Sequence, residues 1–227
     1  MTIQDIIDKE LEIKQEARSS RERSGKISPS LLGRCLRCQY WYRKNETPTN
    51  PPDSRSLRIF KCGSLFHDFV QKFLPAHQIE VLAETDDIKG FADIVVDDEV
   101  MDIKSVHSRQ FHYLRKPKYD INKEKETNIL QLMTYCWILK KEKGRLVFIS
   151  KDDLCIAEYA FYLKNWRDKI QAEIDILRWH WENKELPAAK PRAYNGKEGK
   201  YCNYRDKCRE FENGHKRDTK DHACFKV

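Results

Sequence analysis

Apolar residues are spaced along the chain in ways that predict both helices and strands. Helical periodicity predicts four long helices, over residues 2 to about 20, 64–74, 123–143 and 165–186. Ser64 is predicted to cap the second helix, Pro75 to end it, and Gly144 to cap the C-terminal end of the third. Residues 47–56 are rich in Pro, Asn and Ser, which predicts a loop before the second helix.

Shorter runs of β-branched and aromatic residues predict five strands. One covers residues 78–84, two form a hairpin within 88–105, and two more cover 145–150 and 155–162. The hairpin turns at Asp97 and Asp98, and any even-length loop centred there pairs residues whose numbers sum to 195. This register places Asp93 opposite Asp102, and Lys104 leaves the same face of the sheet as Asp102.

The predicted hairpin brings two carboxylates face to face, with Cβ atoms roughly 5 Å apart. Like charges at that distance repel each other, and a divalent cation between them converts the repulsion into binding. Glu84, at the end of the preceding strand, is a further candidate for a water-mediated metal contact. The alternative is a solvated acidic hairpin that carries a lysine by chance.

Composition limits the class of protein. The chain has 227 residues, of which 40% are hydrophobic and 35% charged, and its apolar runs are too short to span a bilayer. Because the N-terminus is acidic where a signal peptide would be basic, we expect an intracellular, cytoplasmic protein without membrane contact. The net charge of +7 is compatible with a polyanionic partner. Eight cysteines in such a chain favour a thiolate metal site over a disulfide framework.

Two segments interleave basic and aromatic residues in a manner that suits a nucleic-acid strand, through phosphate contacts and base stacking. The first carries Arg34, Arg37 and Arg43 around the aromatic run at residues 40–42, and the second carries Lys116 and Lys118. The alternative is that the aromatic side chains pack inward and the basic ones are simply solvated.

The motifs gain specificity from their order, which is His67, Gly90-x-x-Asp93, Asp102-Ile-Lys104 and Gln131-x-x-x-Tyr135. This order resembles the PD-(D/E)xK nuclease superfamily and, within it, the RecB-like branch. That branch includes the RecB and AddB nuclease domains and the CRISPR-associated RecB-like iron–sulfur exonucleases. The resemblance covers roughly residues 28–208, with one departure: many relatives carry Glu where Asp102 stands. For His67, Gln131 and Tyr135 the alternative is ordinary packing of a helix against the sheet.

The resemblance implies an α/β fold with a restriction-endonuclease-like core, in which helices flank a central mixed sheet. It also implies a metal-dependent DNA exonuclease, acting on single-stranded ends in DNA repair and recombination, CRISPR adaptation or phage genome processing. The expected ligands of Mg²⁺ or Mn²⁺ are Asp93, Asp102, the Ile103 carbonyl and His67. Lys104 would position the attacking water or stabilise the transition state. Gln131 and Tyr135 would orient Lys104 or contact the DNA backbone.

The cysteines carry a second part of the resemblance. Iron–sulfur RecB-like nucleases have one cysteine before the nuclease core and three after it, spaced C-x₂-C-x₅-C. Cys35, Cys202 and Cys208 match three of these positions, and Gly199 occupies the fourth. We expect Cys224 to supply the missing ligand, with Cys38 as the alternative. The resemblance favours a [4Fe-4S] cluster, and four thiolates suit structural Zn²⁺ equally by count.

Such a cluster would join the two ends of the chain around the nuclease. We therefore divide the chain into an N-terminal helix and linker (1–27), the nuclease core (28–186) and a cysteine-bearing segment (187–227). Two other functions stay open: a metal-stapled nucleic-acid-binding subunit without turnover, and a structure-specific endonuclease on the same fold. The expected partners are single-stranded DNA, further copies of the chain, or proteins of the helicase or integrase type. If the chain is phage-encoded, its location is the host cytoplasm.

Overall fold

Helices and strands follow one another in groups along the chain in the computed structural model. The structure describes residues 1–19, 24–74, 78–189 and 201–218, the last with side chains to residue 211. The described helices are α1 (Ile3–Ser19), α2 (Leu36–Arg43), α3 (Ser54–Gln71), α4 (Ser108–Leu114), α5 (Ile121–Glu124), α6 (Glu126–Ile138), α7 (Arg167–Glu182) and α8 (Arg205–Asp218). The described strands are β1 (Gln78–Glu84), β2 (Lys89–Val96), β3 (Glu99–Val106), β4 (Lys143–Ser150) and β5 (Ile156–Tyr162).

The five described strands form one mixed sheet in the order β1-β2-β3-β4-β5. The pairs β1/β2, β2/β3 and β4/β5 are antiparallel, whereas β3 and β4 run parallel and are joined by the segment that contains α4, α5 and α6. The prediction of an α/β fold built on a central mixed sheet is confirmed. The arrangement is consistent with the restriction-endonuclease-like core that the resemblance implies.

Helices cover both faces of the sheet, so the central strands β3 and β4 are buried on both sides. On one face, α6 packs against the strands in a cluster that includes Val100, Leu146 and Phe148, and α7 packs on α6. On the other face, α3 covers a smaller cluster that is centred on Ile94 and Ile103. Because successive strand residues point to opposite faces, residues of β3 on either side of Ile103 point away from α3.

Helix α3 begins at Ser54, well before the cap that the sequence predicts at Ser64. The carboxylate of Asp53 caps the helix by accepting a hydrogen bond from the backbone N–H of Ser56 at 2.8 Å. Apolar residues of the added turns, including Ile59 and Phe60, are exposed, so they do not follow the buried stripe that periodicity detects. The predicted loop over residues 47–56 therefore ends at Asp53.

Gly144 lies inside β4, so its prediction as a helix cap is wrong. A Cβ atom at this position would lie 2.6 Å from Met133 Cε and 2.8 Å from both Cys136 Sγ and Leu132 Cγ. The glycine therefore serves close contact between the sheet and α6. The predicted single helix over residues 123–143 is divided into α5 and α6, and α6 ends at Ile138.

The terminal segments pack beside this core. Helix α1 lies on α3, where Ser54 donates to Glu12 at 2.6 Å and Arg58 pairs with Asp8. A third apolar cluster joins α2 to α8 through Trp41, Tyr204 and Cys208. Among the described helices, none is long and apolar enough to cross a membrane. The division of the chain at residues 27 and 186 stays a prediction.

Candidate active site

The hairpin formed by β2 and β3 has the register that the sequence predicts. Its pairs are Ile94 with Met101, Val95 with Val100 and Val96 with Glu99, all of which sum to 195. The ladder stops one step before Asp93 and Asp102. In place of a backbone pair, Asp93 Oδ2 accepts a hydrogen bond from the Ile103 N–H at 2.9 Å. The two strands therefore separate where the carboxylates lie.

Helix α3 brings two side chains to Asp93. His67 Nδ1 lies 3.6 Å from Asp93 Oδ2, and Gln71 Nε2 donates to the Asp93 backbone carbonyl at 3.2 Å. His67 and Gln71 are four residues apart, so they share one face of the helix. His67 thus faces the carboxylate of Asp93, and its role as a metal ligand stays a prediction.

Asp102 and Lys104 form an ion pair on the face of β3 opposite α3. Lys104 Nζ lies 2.9 Å from Oδ1 and 2.7 Å from Oδ2 of Asp102. Asp102 is fully buried, whereas the Lys104 side chain keeps 24% of its surface exposed. Burial raises the pKa of Asp102 to about 7, the ammonium of Lys104 opposes this shift, and the charge of Asp93 adds to it. Asp93 and Asp102 are therefore close enough to influence each other.

Tyr135 approaches the hairpin from α6 and lies against Gly90. A Cβ atom at Gly90 would be 3.0 Å from both the Tyr135 hydroxyl and its ring. Tyr135 is buried, which raises the pKa of its phenol, and a hydrogen bond with Gln131 opposes that shift. The close approach gives a physical reason for glycine three residues before Asp93. Gln131 and Tyr135 thus lie together on the side of β2 and β3 that carries Asp102.

A third carboxylate, which the sequence analysis missed, faces Asp93 from β1. The pairs of β1 and β2 sum to 173, which places Glu80 opposite Asp93 at the one pair that the ladder skips between Ile79 and Val81. Glu80 has φ +49°, an uncommon conformation for a residue other than glycine. Burial raises the pKa of Glu80 and the Asp93 charge adds to the shift, whereas His67 and Gln71 oppose it.

Glu84, the carboxylate that the sequence analysis singled out on this strand, is engaged elsewhere. Its carboxylate pairs with Lys26 at 3.0 Å and with Lys89 at 3.2 Å. The structure therefore does not support a metal contact for Glu84. Glu80 can be identified only from the register of β1 against β2, and the periodicity of β1 alone does not give that register.

The donors around the hairpin are suited to a divalent cation. Carboxylate and carbonyl oxygens are the ligands that Mg²⁺ and Mn²⁺ prefer, and an imidazole favours the softer of the two. Across the described ranges, no three His, Cys, Asp or Glu side chains are yet gathered closely enough to hold a metal ion. At the hairpin, Lys104 Nζ lies against the carboxylate of Asp102. The residue types fit the ion, and the ligand assignment is a proposal.

The five basic residues predicted to bind DNA have different environments. Arg34, Lys116 and Lys118 are exposed. Arg37 is buried, with 7% of its surface exposed, so its guanidinium is not available to a DNA phosphate. Arg43 donates to the Gly25 carbonyl at 2.7 Å and stacks over the Trp181 ring. The assignment of Arg37 to DNA binding is therefore corrected, and the assignment of Arg43 loses support. The reason is that the aromatic side chains of this segment pack inward, and both guanidinium groups bind to protein groups beside them.

Four cysteines lie near one another where α2 meets the C-terminal segment. Cys35 and Cys208 are buried, and Cys38 forms a hydrogen bond with Cys202. That hydrogen bond and burial raise the pKa of the Cys38 thiol, and Cys35 contributes to the shift. The described cysteines are all free thiols. Cys224, the expected fourth ligand, lies outside the described residues.

Comparison with solved structures shows that the fold is shared with SSO0001. The crystal structure of SSO0001 superposes with a TM-score of 0.53, at 22% sequence identity over 90% of this chain and 95% of that one. The alkaline exonuclease LHK-Exo from Laribacter hongkongensis gives a TM-score of 0.49 at 15% identity, over 76% of this chain and 93% of that one. A phage-related exonuclease from Haemophilus somnus 129PT gives 0.36 at 16% identity, over 56% and 68%. No protein-family model matches the chain, and neither does any curated protein.

Proposed function

We propose that this chain is a divalent-metal-dependent nuclease of the PD-(D/E)xK type that hydrolyses phosphodiester bonds in DNA. The observation that supports this proposal is the opening of the β2/β3 ladder at the motif residues. Asp93 lies there with His67 beside it, and the Asp102–Lys104 pair lies on the adjoining strand. Residues that are far apart in sequence meet at the same opening, which a solvated acidic hairpin would not require.

The residues that would hold the cation are Asp93, Asp102, the Ile103 carbonyl and His67. A bound Mg²⁺ or Mn²⁺ would neutralise charge on the phosphate and make a hydroxide available at neutral pH. Because imidazole suits softer metals than Mg²⁺, the presence of His67 favours Mn²⁺. Asp93 is already oriented for this role, since the Ile103 N–H holds its Oδ2 atom in place.

Lys104 is the residue that would act on water or on the phosphate. Its ammonium is held at the rim of the buried Asp102 carboxylate and remains partly exposed, so it can donate to an incoming oxygen. A positive charge at this position stabilises the negative charge that develops on the phosphate in the transition state. Asp102 orients Lys104 in the absence of substrate.

Gln131 and Tyr135 would act as positioning residues. Tyr135 lies against Gly90, and Gln131 lies near it on the same face of α6. The contact between Tyr135 and Gly90 fixes the backbone of β2 three residues before Asp93. This part of β2 is not paired with β3. The pair therefore holds Asp93 and the Asp102–Lys104 side of the site at a constant separation.

The substrate is proposed to be single-stranded DNA entering by an end, as in the RecB-like branch. The exposed cations Arg34, Lys116 and Lys118 would contact its phosphates. Lys116 Nζ lies 4.4 Å from the ring centroid of Tyr113, an exposed residue of α4. A basic residue next to an exposed aromatic ring suits a strand whose bases are free to stack.

The cysteine region is proposed to hold a [4Fe-4S] cluster, with Zn²⁺ as the alternative. Cys35, Cys202 and Cys208 keep the roles that the resemblance implies. For the fourth ligand we favour Cys38 over Cys224, because the Cys38 thiol already forms a hydrogen bond with the Cys202 thiol. The cluster would join α2 to α8 and so close the chain around the sheet.

The test is a nuclease assay on end-labelled single-stranded DNA with Mn²⁺, Mg²⁺ or EDTA. Wild type, Lys104→Ala and the exposed control Lys164→Ala would be compared. We expect metal-dependent degradation by wild type and the control, and loss of cleavage with retained DNA binding in Lys104→Ala. Cleavage by Lys104→Ala at the wild-type rate would refute the proposed active site. Cleavage of a covalently closed circle would identify an endonuclease instead.

A further inference from the structure

Arg37 lies between Cys35 and Cys38 in the sequence, and its side chain is buried against the cysteine region. A guanidinium stays charged at any physiological pH, so its burial requires groups that accept its hydrogen bonds. The surroundings of Arg37 therefore show where negative charge is expected in this part of the molecule.

The guanidinium of Arg37 contacts three parts of the C-terminal half. Nη1 donates to Cys208 Sγ at 3.3 Å, and Nε donates to the Pro187 carbonyl at 2.8 Å. The ring of Phe211 lies below the guanidinium, 4.9 Å from its central carbon. One side chain from α2 thus holds the segment after α7 and two successive turns of α8.

The contact with sulfur has a particular consequence if the cysteines bind a metal. Four thiolates give a metal centre a net negative charge, and hydrogen bonds to the sulfurs together with that charge set the reduction potential of an iron–sulfur cluster. Groups that bond to the ligands also hold them in place, and their loss commonly weakens metal binding by about 10- to 100-fold. Arg37 supplies both a hydrogen bond and a positive charge to one of the proposed ligands.

We propose that Arg37 is a positioning residue for the cysteine metal centre, where it holds Cys208 and offsets the charge of the thiolates. The inference rests on the cysteine centre proposed above. It gives the buried arginine a role that differs from that of Arg34, which is exposed three residues earlier in the chain and remains available to DNA.

The experiment compares Arg37→Gln, Arg37→Lys and wild type, all purified as the holoprotein without oxygen. Iron, sulfide and zinc per chain would be measured, followed by the rate at which the metal is released to a chelator. We expect release to be about 10-fold faster in Arg37→Gln, because the hydrogen bond to Cys208 is lost. Arg37→Lys keeps the charge without the planar fork, so we expect an intermediate rate.

Arg145→Gln is the matched control. Arg145 also pairs through its guanidinium, with Glu99 and Glu158, and it lies on β4, which carries none of the cysteines of the proposed centre. We expect its metal release to equal that of wild type. If Arg37→Gln does not fold, Arg37→Lys supplies the comparison with wild type.

The reduction potential separates this role from simple packing. If the centre holds iron and sulfide, loss of a positive charge beside it disfavours the added electron, so we expect a more negative potential in Arg37→Gln. Metal-loaded Arg37 variants that release the metal at the wild-type rate would overturn the role of Arg37 but not the cysteine centre. Iron-loaded Arg37 variants with an unchanged reduction potential would do the same. Wild type that holds neither iron nor zinc would overturn the cysteine centre itself.

Discussion

The hairpin site and the cysteine region are both proposed metal centres, but they are assembled in different ways. Asp93, Asp102 and Lys104 lie within one hairpin, so a single register places them. Cys38 and Cys202 meet only after the two ends of the chain have packed together, and Arg37 bonds with Cys208 across 171 positions of sequence. The hairpin site can therefore be located from a short segment of sequence, whereas the cysteine region depends on the complete tertiary structure.

The largest expected effect is the loss of catalysis at the hairpin. Asp102→Asn removes the charge that would hold the cation while it keeps the shape of the buried side chain. We expect the cleavage rate to fall by about 10³-fold or more, because stabilisation of transition-state charge is lost. Steady-state cleavage of single-stranded DNA measures the rate, and metal content should show the cysteine centre unchanged. A variant that cleaves at the wild-type rate would remove Asp102 from the site.

In the cysteine region, the expected effect of a substitution is loss of the bound metal. Cys38→Ser is expected to lose most of the bound iron or zinc, because serine is a poor substitute for a thiolate ligand. Cys155→Ser, at an exposed cysteine, is the control and should retain the metal. Metal analysis of Cys224→Ser beside these two identifies the fourth ligand. If Cys224→Ser loses the metal and Cys38→Ser retains it, the preference for Cys38 is wrong.

Alanine substitutions at two glycines compare the close packing at the hairpin with the looser packing inside α3. Gly90→Ala would place a Cβ atom 3.0 Å from Tyr135 and from Pro29, so we expect a loss of about 1–3 kcal/mol in the free energy of unfolding. Gly63→Ala, inside α3, meets only Ser105 Oγ at 3.6 Å. We expect the latter to be neutral or to stabilise the helix by up to about 1 kcal/mol. Urea denaturation measures both, and equal effects would contradict the proposed role of Gly90.

The smallest expected effect is a difference in Mn²⁺ affinity between substitutions at Glu80 and at Glu84. Glu80 faces Asp93, so Glu80→Gln should weaken Mn²⁺ binding by about 10-fold through the arrangement of groups around the ligands. Glu84→Gln loses surface ion pairs with Lys26 and Lys89 and should leave Mn²⁺ affinity unchanged. Titration of Mn²⁺ by calorimetry distinguishes the two. A greater effect at Glu84 would restore the expectation from sequence.

The sequence predicts most of the sheet and the register of the hairpin, since both depend on local patterns. It does not predict the opening of the ladder at Asp93, because the bond from the Ile103 N–H to the Asp93 side chain replaces a backbone pair. The position of Glu80 requires the register of β1 against β2, and the start of α3 depends on a cap rather than on periodicity.

The burial of Arg37 was the least predictable feature. A segment that interleaves arginines with aromatic residues looks the same whether its guanidinium groups face DNA or the protein interior. Packing decides between the two, and here Trp41 and Tyr40 enter an apolar cluster with residues from the other end of the chain. Arg34, on the outer side of the same segment, remains exposed.

The most direct test of the account is the rate of single-stranded DNA cleavage as a function of Mn²⁺ concentration, in wild type and in Asp93→Asn. Asp93 accepts a hydrogen bond from the Ile103 N–H and lies beside His67, so it is in contact with two of the residues that are proposed to hold the cation. We predict that the wild-type rate rises with Mn²⁺ to a plateau, and that Asp93→Asn shows no such rise while DNA binding and the cysteine metal persist. The same Mn²⁺ dependence in both proteins would contradict the claim that the hairpin is the active site.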